Sequence, residues 1–165
     1  MSAMVRSVSL SGKKIAFLGD SWTQFPANTV ALPEYTEYNE SVVMPNGEQH
    51  VNSYGYMPKA FAEASGAIVD NWGKSNMTSE NWGLVMIDTI LAHTQYDYLV
   101  IEFFINDQNL GISYDDWARN LALIAEKCKK ANVRPIIVCP CRQNGPTVEP
   151  FGIRHEMIMR GLGTF

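Results

Sequence analysis

Residues 15–18, Ile-Ala-Phe-Leu, form a short apolar run between Lys13-Lys14 and the break Gly19-Asp20-Ser21. A run of this kind, charged before and turning after, suits a central strand covered on both faces. The chain would then leave the sheet at Gly19 and carry the hydroxyl of Ser21 past the strand end. In an open α/β sheet, ligands bind beyond the carboxyl ends of the strands, where the strand order reverses. Taken alone, Gly-Asp-Ser is better explained as a cap for the following segment. Its meaning depends on the rest of the chain.

Apolar runs and amphipathic stretches alternate after residue 50, the pattern of a parallel sheet wrapped by helices. The strands expected are Lys14–Leu18, Ala67–Asn71, Tyr98–Phe104 and Arg134–Cys139. Between the second and third, Thr78 and Ser79 offer N-caps, Glu80 suits a first turn, and Leu84, Ile87 and Leu91 recur on one face. After the third, Ser113 and Asp116 resemble a capping box ahead of the stripe Trp117, Leu121, Ile124, Cys128. Pro58 in a first turn, inward Phe61 and Ala64, and Gly66 as a stop define a shorter helix. The fold expected is one doubly wound α/β sandwich over residues 1–165. Residues 22–53 break the pattern, punctuated by Pro26, Asn28, Pro33, Pro45, Asn46 and Gly47. They read as an insertion over the edge that carries Ser21, with a hairpin around Pro45-Asn46-Gly47.

Length and composition fit one well-buried domain, with 165 residues of which 46% are hydrophobic. A net charge of −4 argues against nucleic-acid binding, which needs clustered cations to neutralise phosphates. The one basic cluster, Lys127, Lys129 and Lys130, falls at an expected helix end, where cations offset the helix dipole. Met1–Gly12 lacks the apolar core of a signal peptide, and no run reaches the roughly eighteen apolar residues of a membrane span. A chain without membrane contact, cytoplasmic or part of a larger particle, is expected. Cys128, Cys139 and Cys141 are too few to pair fully and read as buried thiols. A zinc site of Cys139, Cys141 and His155 lacks a second ligand pair and is set aside. No cofactor or metal is expected.

The second and third expected strands end in residues suited to holding an oxyanion, Asn71-Trp72-Gly73 and Asn106-Asp107. A glycine can bring its backbone N–H close to a substrate, and an asparagine amide is a neutral directed donor. Separately, Gly73 is most simply a turn and Asn106 a loop residue bonding its own backbone. Their shared position after successive strands shifts that balance.

With these blocks in order, the chain resembles the SGNH hydrolases, also called GDSL esterases and lipases. Gly19-Asp20-Ser21, Asn71-Trp72-Gly73 and Asn106-Asp107 match the first three blocks of that family. The resemblance implies a flavodoxin-like three-layer α/β/α sandwich with a parallel sheet of order 2-1-3-4-5, and ester hydrolysis by a Ser-His-Asp triad. It implies Ser21 as nucleophile, with its own N–H, the N–H of Gly73 and the side chain of Asn106 as oxyanion donors. Two departures stand out. Phe104 occupies the position of the third block's glycine, and Gly152 stands three residues before His155, so the fourth block, Asp-x-x-His, is absent. A fifth strand is also missing from the pattern, leaving order 2-1-3-4 and a domain that reads as incomplete at its C-terminus. His155, His50 or a residue from beyond Phe165 or from another chain would have to supply the base, with His93 at a helix end.

The leading expectation is a serine esterase for small acyl esters, such as an acetylated carbohydrate, with Trp22, Trp72, Tyr35 and Tyr38 offering aromatic faces for a sugar. The alternative is a degenerate module that binds rather than catalyses, in a homo-oligomer or larger assembly covering an open sheet edge. A flavin or nucleotide binder fits the topology but lacks a glycine-rich phosphate loop.

Overall fold

Strand β1, Lys14–Gly19, is buried at every residue after Lys14 and is hydrogen-bonded along both edges, to β4 (Ile68–Asn71) and β5 (Tyr98–Glu102). All of this pairing is parallel, and β6 (Arg134–Ile137) adds to the far side of β5. The sheet order is β4-β1-β5-β6, the 2-1-3-4 order that the family resemblance implies. This computed structural model describes residues 9–24, 38–43, 49–53 and 56–138.

Side chains alternate along β1 and feed two cores. Ile15 and Phe17 join Val69 and Val100 on one face, where Phe61 of helix α2 (Tyr56–Ser65) meets the Phe17 ring edge-on at 5.6 Å. Ala16 and Leu18 join Leu99 and Ile101 on the other, under α3 (Val85–His93) and α5 (Tyr114–Lys130). Burying each of the large aliphatic side chains contributes about 1.5–3 kcal/mol, which explains why the apolar runs become the sheet's middle. Trp117, Leu121, Ile124 and Cys128 are all buried, as their spacing on α5 predicts. Burial pushes the Cys128 thiol up to about 12, so it is inert packing. Cys139 and Cys141 lie outside the described residues.

Local signals explain the helix ends. The Ser113 hydroxyl accepts the Asp116 N–H at 3.1 Å and starts α5, whose last turn carries Lys127, Lys129 and Lys130. Thr78 and Asn81 form a reciprocal capping box, with Thr78 Oγ1 accepting the Asn81 N–H and Asn81 Oδ1 accepting the Thr78 N–H. Beyond this box the chain departs from the expected single α-helix. Ser79–Leu84 is a π-helical turn, with the Gly83 N–H reaching back five residues to Thr78 O, and only then does α3 begin. In α2 the inward partner of Phe61 is Ala62, which packs with it against the β1 and β4 core, whereas Ala64 is exposed. Strand β5 also stops at Glu102 rather than Phe104, since Phe103 and Phe104 turn into the core ahead of the short helix α4 (Ile105–Asn109). Another short helix, α1 (Ser21–Gln24), follows β1.

Within residues 22–53, strands β2 (Tyr38–Val43) and β3 (Gln49–Ser53) pair antiparallel with Val43 opposite Gln49, consistent with the expected hairpin. Its turn, Pro45-Asn46-Gly47, lies outside the described residues. Among the described residues no helix is long and apolar enough to cross a membrane. The outer edge of β6 has no partner strand among them. Arg134 N donates to Asp97 O and Val138 N to Ile101 O, so residues 134, 136 and 138 face β5. Pro135 therefore faces outward, where its missing N–H costs the sheet nothing and blunts the edge.

Two truncations test which strands hold the core. Ile101→Ala, fully buried in β5, is expected to lower unfolding free energy by about 2–5 kcal/mol. Ile136→Ala, 44% exposed on β6, should cost less than about 1 kcal/mol. Urea unfolding followed by tryptophan fluorescence distinguishes them, and equal losses would contradict this division.

Candidate functional site

Three adjacent parallel strands end at one edge, and each delivers one of the residues singled out from the sequence. Ser21 follows β1, Gly73 follows β4, and Asn106 lies in the first turn of α4 after β5. Because the chain moves from β1 to β4 on one side and then to β5 on the other, Ser21 stands where the strand order reverses.

Close backbone packing holds this corner together. Lys74 N donates to Gly19 O at 3.0 Å and Asp20 N to Glu102 O at 3.3 Å, joining the three strand ends. A Cβ on Gly19 would lie 2.1 Å from Thr23 Oγ1 and 2.5 Å from Glu102 O. One on Gly73 would lie 2.5 Å from Gln24 N and 2.8 Å from Thr23 Cβ. Both positions therefore need glycine, Gly19 so that the chain can turn out of β1 and Gly73 so that the β4 loop can press against α1. The Gly73 N–H donates to Asn71 Oδ1 at 2.9 Å, and Asn71 Nδ2 donates to Thr23 O at 3.1 Å, tying this loop to α1.

Asn106 is half-buried, and its Nδ2 donates to Met77 O at 2.9 Å, leaving the second amide hydrogen available. Phe104 is buried and meets Trp117 edge-on at 5.7 Å, so the ring fills the core beneath Asn106. Trp22 is 63% exposed on α1. Trp72, expected to flank the site, is instead fully buried, with its Nε1 donating to Tyr96 Oη at 3.2 Å and its carbonyl accepting from Trp82 Nε1.

No described side chain hydrogen-bonds the Ser21 hydroxyl. His93 ends α3 with its ring edge-on to Trp72 at 5.3 Å. His50 is placed by its backbone on β3 opposite Val42. His155 and Tyr35 lie outside the described residues. Among the described residues no cluster of His, Cys, Asp or Glu could hold a metal ion.

Three acids lie buried under this corner, Asp20 and Asp107, which the sequence names within the blocks without showing their burial, and Glu102, which it misses. Burial, partly offset by the Trp22 N–H on Oδ1, pushes Asp20 up to about 6, and its Oδ2 has no hydrogen-bond partner among the described residues. Burial and the neighbouring Asp20 charge push Glu102 up to about 7, while the Thr23 hydroxyl at 3.0 Å opposes this. Burial also raises Asp107, against hydrogen bonds from Ser79. The signal for Glu102 was its place inside an apolar strand, where a carboxyl loses its hydration.

No protein-family model and no curated protein matches the sequence. Solved structures do match the fold. A lipolytic-type protein of the G-D-S-L family from Desulfitobacterium hafniense superposes with a TM-score of 0.66 at 17% identity, over 92% of this chain and 74% of that one. The psychrotrophic esterase EstA from Pseudoalteromonas gives 0.63 at 19% identity, over 90% and 73%. The acetylxylan esterase Axe2 from Geobacillus stearothermophilus gives 0.64 at 15% identity, over 96% and 74%. The chain has the α/β fold of the SGNH hydrolases.

The buried acids set a pH dependence. A carboxyl whose folded value lies above its unfolded value of about 4 favours folding in acid, and that contribution is lost as pH rises toward the folded value. For Asp20 at about 6 and Glu102 at about 7, the loss falls between about pH 4 and 7. Glu102→Gln keeps an acceptor for Thr23 and removes one charge. It should be more stable than wild type at pH 8 by roughly 1–3 kcal/mol and nearly equal at pH 4. Urea unfolding across this range checks it, and parallel pH curves for the two proteins would refute it.

Proposed function

We propose that this chain is a serine esterase of the SGNH type, acting on small acyl esters, O-acetylated carbohydrate among them. The observation that carries the reading is the delivery of Ser21, Gly73 and Asn106 to one edge by three neighbouring parallel strands. The SGNH fold and the esterase structures that share it support the same reading.

In this mechanism Ser21 Oγ attacks the acyl carbon, and its proton passes to a base. The carbonyl oxygen becomes an oxyanion held by the N–H of Ser21, by Asn106 Nδ2 and by the Gly73 N–H, which must first exchange its bond to Asn71 Oδ1 for the oxyanion. Collapse expels the alcohol, which takes up the proton, and leaves an acyl-Ser21 ester. Water then attacks that ester, gives its proton to the base and releases the acid, restoring the Ser21 hydroxyl. The base is a residue from beyond Phe165 or from another chain, or else His155 or His50. The exposed ring of Trp22, one residue after the nucleophile, gives a sugar alcohol a face to stack on.

A binding module that has lost catalysis is the second reading, favoured by Phe104 at the position of the third block's glycine. Hydrolysis of p-nitrophenyl acetate decides between them. Ser21→Ala is expected to fall to the buffer rate and Asn106→Ala to lose about 10²–10³-fold in kcat. Trp22→Ala should raise KM severalfold on an acetylated oligosaccharide and leave p-nitrophenyl acetate little changed. His155→Ala and His50→Ala say whether the base lies within this chain. Equal rates for wild type, Ser21→Ala and buffer would favour the binding module.

A further inference from the structure

Asn106 and Asp107 are consecutive, and both are tied to the same short segment that leads into the π-helical turn. Asn106 Nδ2 donates to Met77 O at 2.9 Å. Asp107 accepts the Ser79 N–H through both carboxylate oxygens, at 3.0 and 3.1 Å, and its Oδ1 also accepts the Ser79 hydroxyl. The Ser79 hydroxyl in turn accepts Asn120 Nδ2 from α5 at 3.0 Å. Its single hydrogen is committed to Asp107 and its lone pair to Asn120, so the rotor has one orientation. Ser79, Asp107 and Asn120 are all buried, where no water competes for these bonds.

Resting on the esterase reading above, we propose that Ser79, Asp107 and Asn120 are positioning residues that hold Asn106 as an oxyanion donor. An oxyanion donor helps only if it is fixed before the charge develops. A lone amide at the start of the five-residue helix α4 is poorly fixed by that helix. The two-point attachment at Met77 and Ser79 supplies what the helix lacks, and it is anchored from both sides. The Thr78–Asn81 capping box fixes the segment to the π-helical turn, and Asn120 fixes it to α5. A purely structural cluster would need to satisfy Asp107, but it would not need the neighbouring asparagine to bond the same segment.

The test uses the full chain and p-nitrophenyl acetate. Ser79→Ala is expected to lower kcat roughly tenfold to a hundredfold with KM within about twofold, a part of the loss from deleting a donor outright. In an Asn106→Ala background the same change should add less than about twofold, since residues acting through one group are not additive. Asn120→Ala, which leaves the Ser79–Asp107 bonds in place, should show a smaller loss with the same dependence and serves if Ser79→Ala does not fold. A readout independent of turnover is the Asn106 side-chain amide in NMR spectra, expected to shift or broaden in both variants. Unchanged kcat and amide signals, or the same fold-loss in both backgrounds, would overturn the proposal while leaving the esterase reading intact. Full activity in Asn106→Ala would likewise overturn the proposal, whereas the esterase reading falls only if wild type and Ser21→Ala both match the buffer rate.

Discussion

A parallel sheet sends every strand out at the same edge, and this constraint organises the molecule. Once β1 is buried on both faces and bonded on both sides, the residues after β1, β4 and β5 have to meet. Their chemistry is then a matter of which side chains stand there. The two glycines that admit no Cβ show how tightly that meeting is packed. Neither Gly19 nor Gly73 touches a reacting atom through a side chain, yet each sets how near its neighbours can come.

Much of the fold was legible because it rests on burial and capping. The run Ile15–Leu18, the stripe Trp117 to Cys128 and the caps Thr78 and Ser113 are all local signals of the structures they form. What was not legible depends on tertiary packing. The π-helical turn sits where a Cβ on Gly83 would press within 3.0 Å of both Ile124 and Phe103, a fit set by α5 and invisible in the periodicity of residues 79–93. Ala62 and Ala64 are equivalent by composition, and only the packing of α2 on the sheet decides which is inside. Ending β5 two residues early follows from Phe104, which a strand pattern reads as continuation but the core claims as a plug.

The candidate site was legible as three blocks but not as a working environment. Ser21, Gly73 and Asn106 could be named from turn chemistry after strands. The acids beneath them could not, because Asp20 and Asp107 look like ordinary loop residues and Glu102 like a strand exception. Their burial places a layer of titratable groups directly under the corner that carries the hydroxyl. Aromatic residues were equally ambiguous in sequence. Trp22 and Trp72 each neighbour a block, and packing sends one to solvent and the other into the core.

The outward-facing Pro135 has a consequence for the described edge of β6. Charged side chains protect a sheet edge by repulsion, and salt weakens that protection over a distance of about 10 Å at 0.1 M. An absent N–H is not screened. At the described edge of β6, a strand approaching from solvent finds the same gap in the ladder at any ionic strength, so resistance to stray strand addition there is written into the backbone.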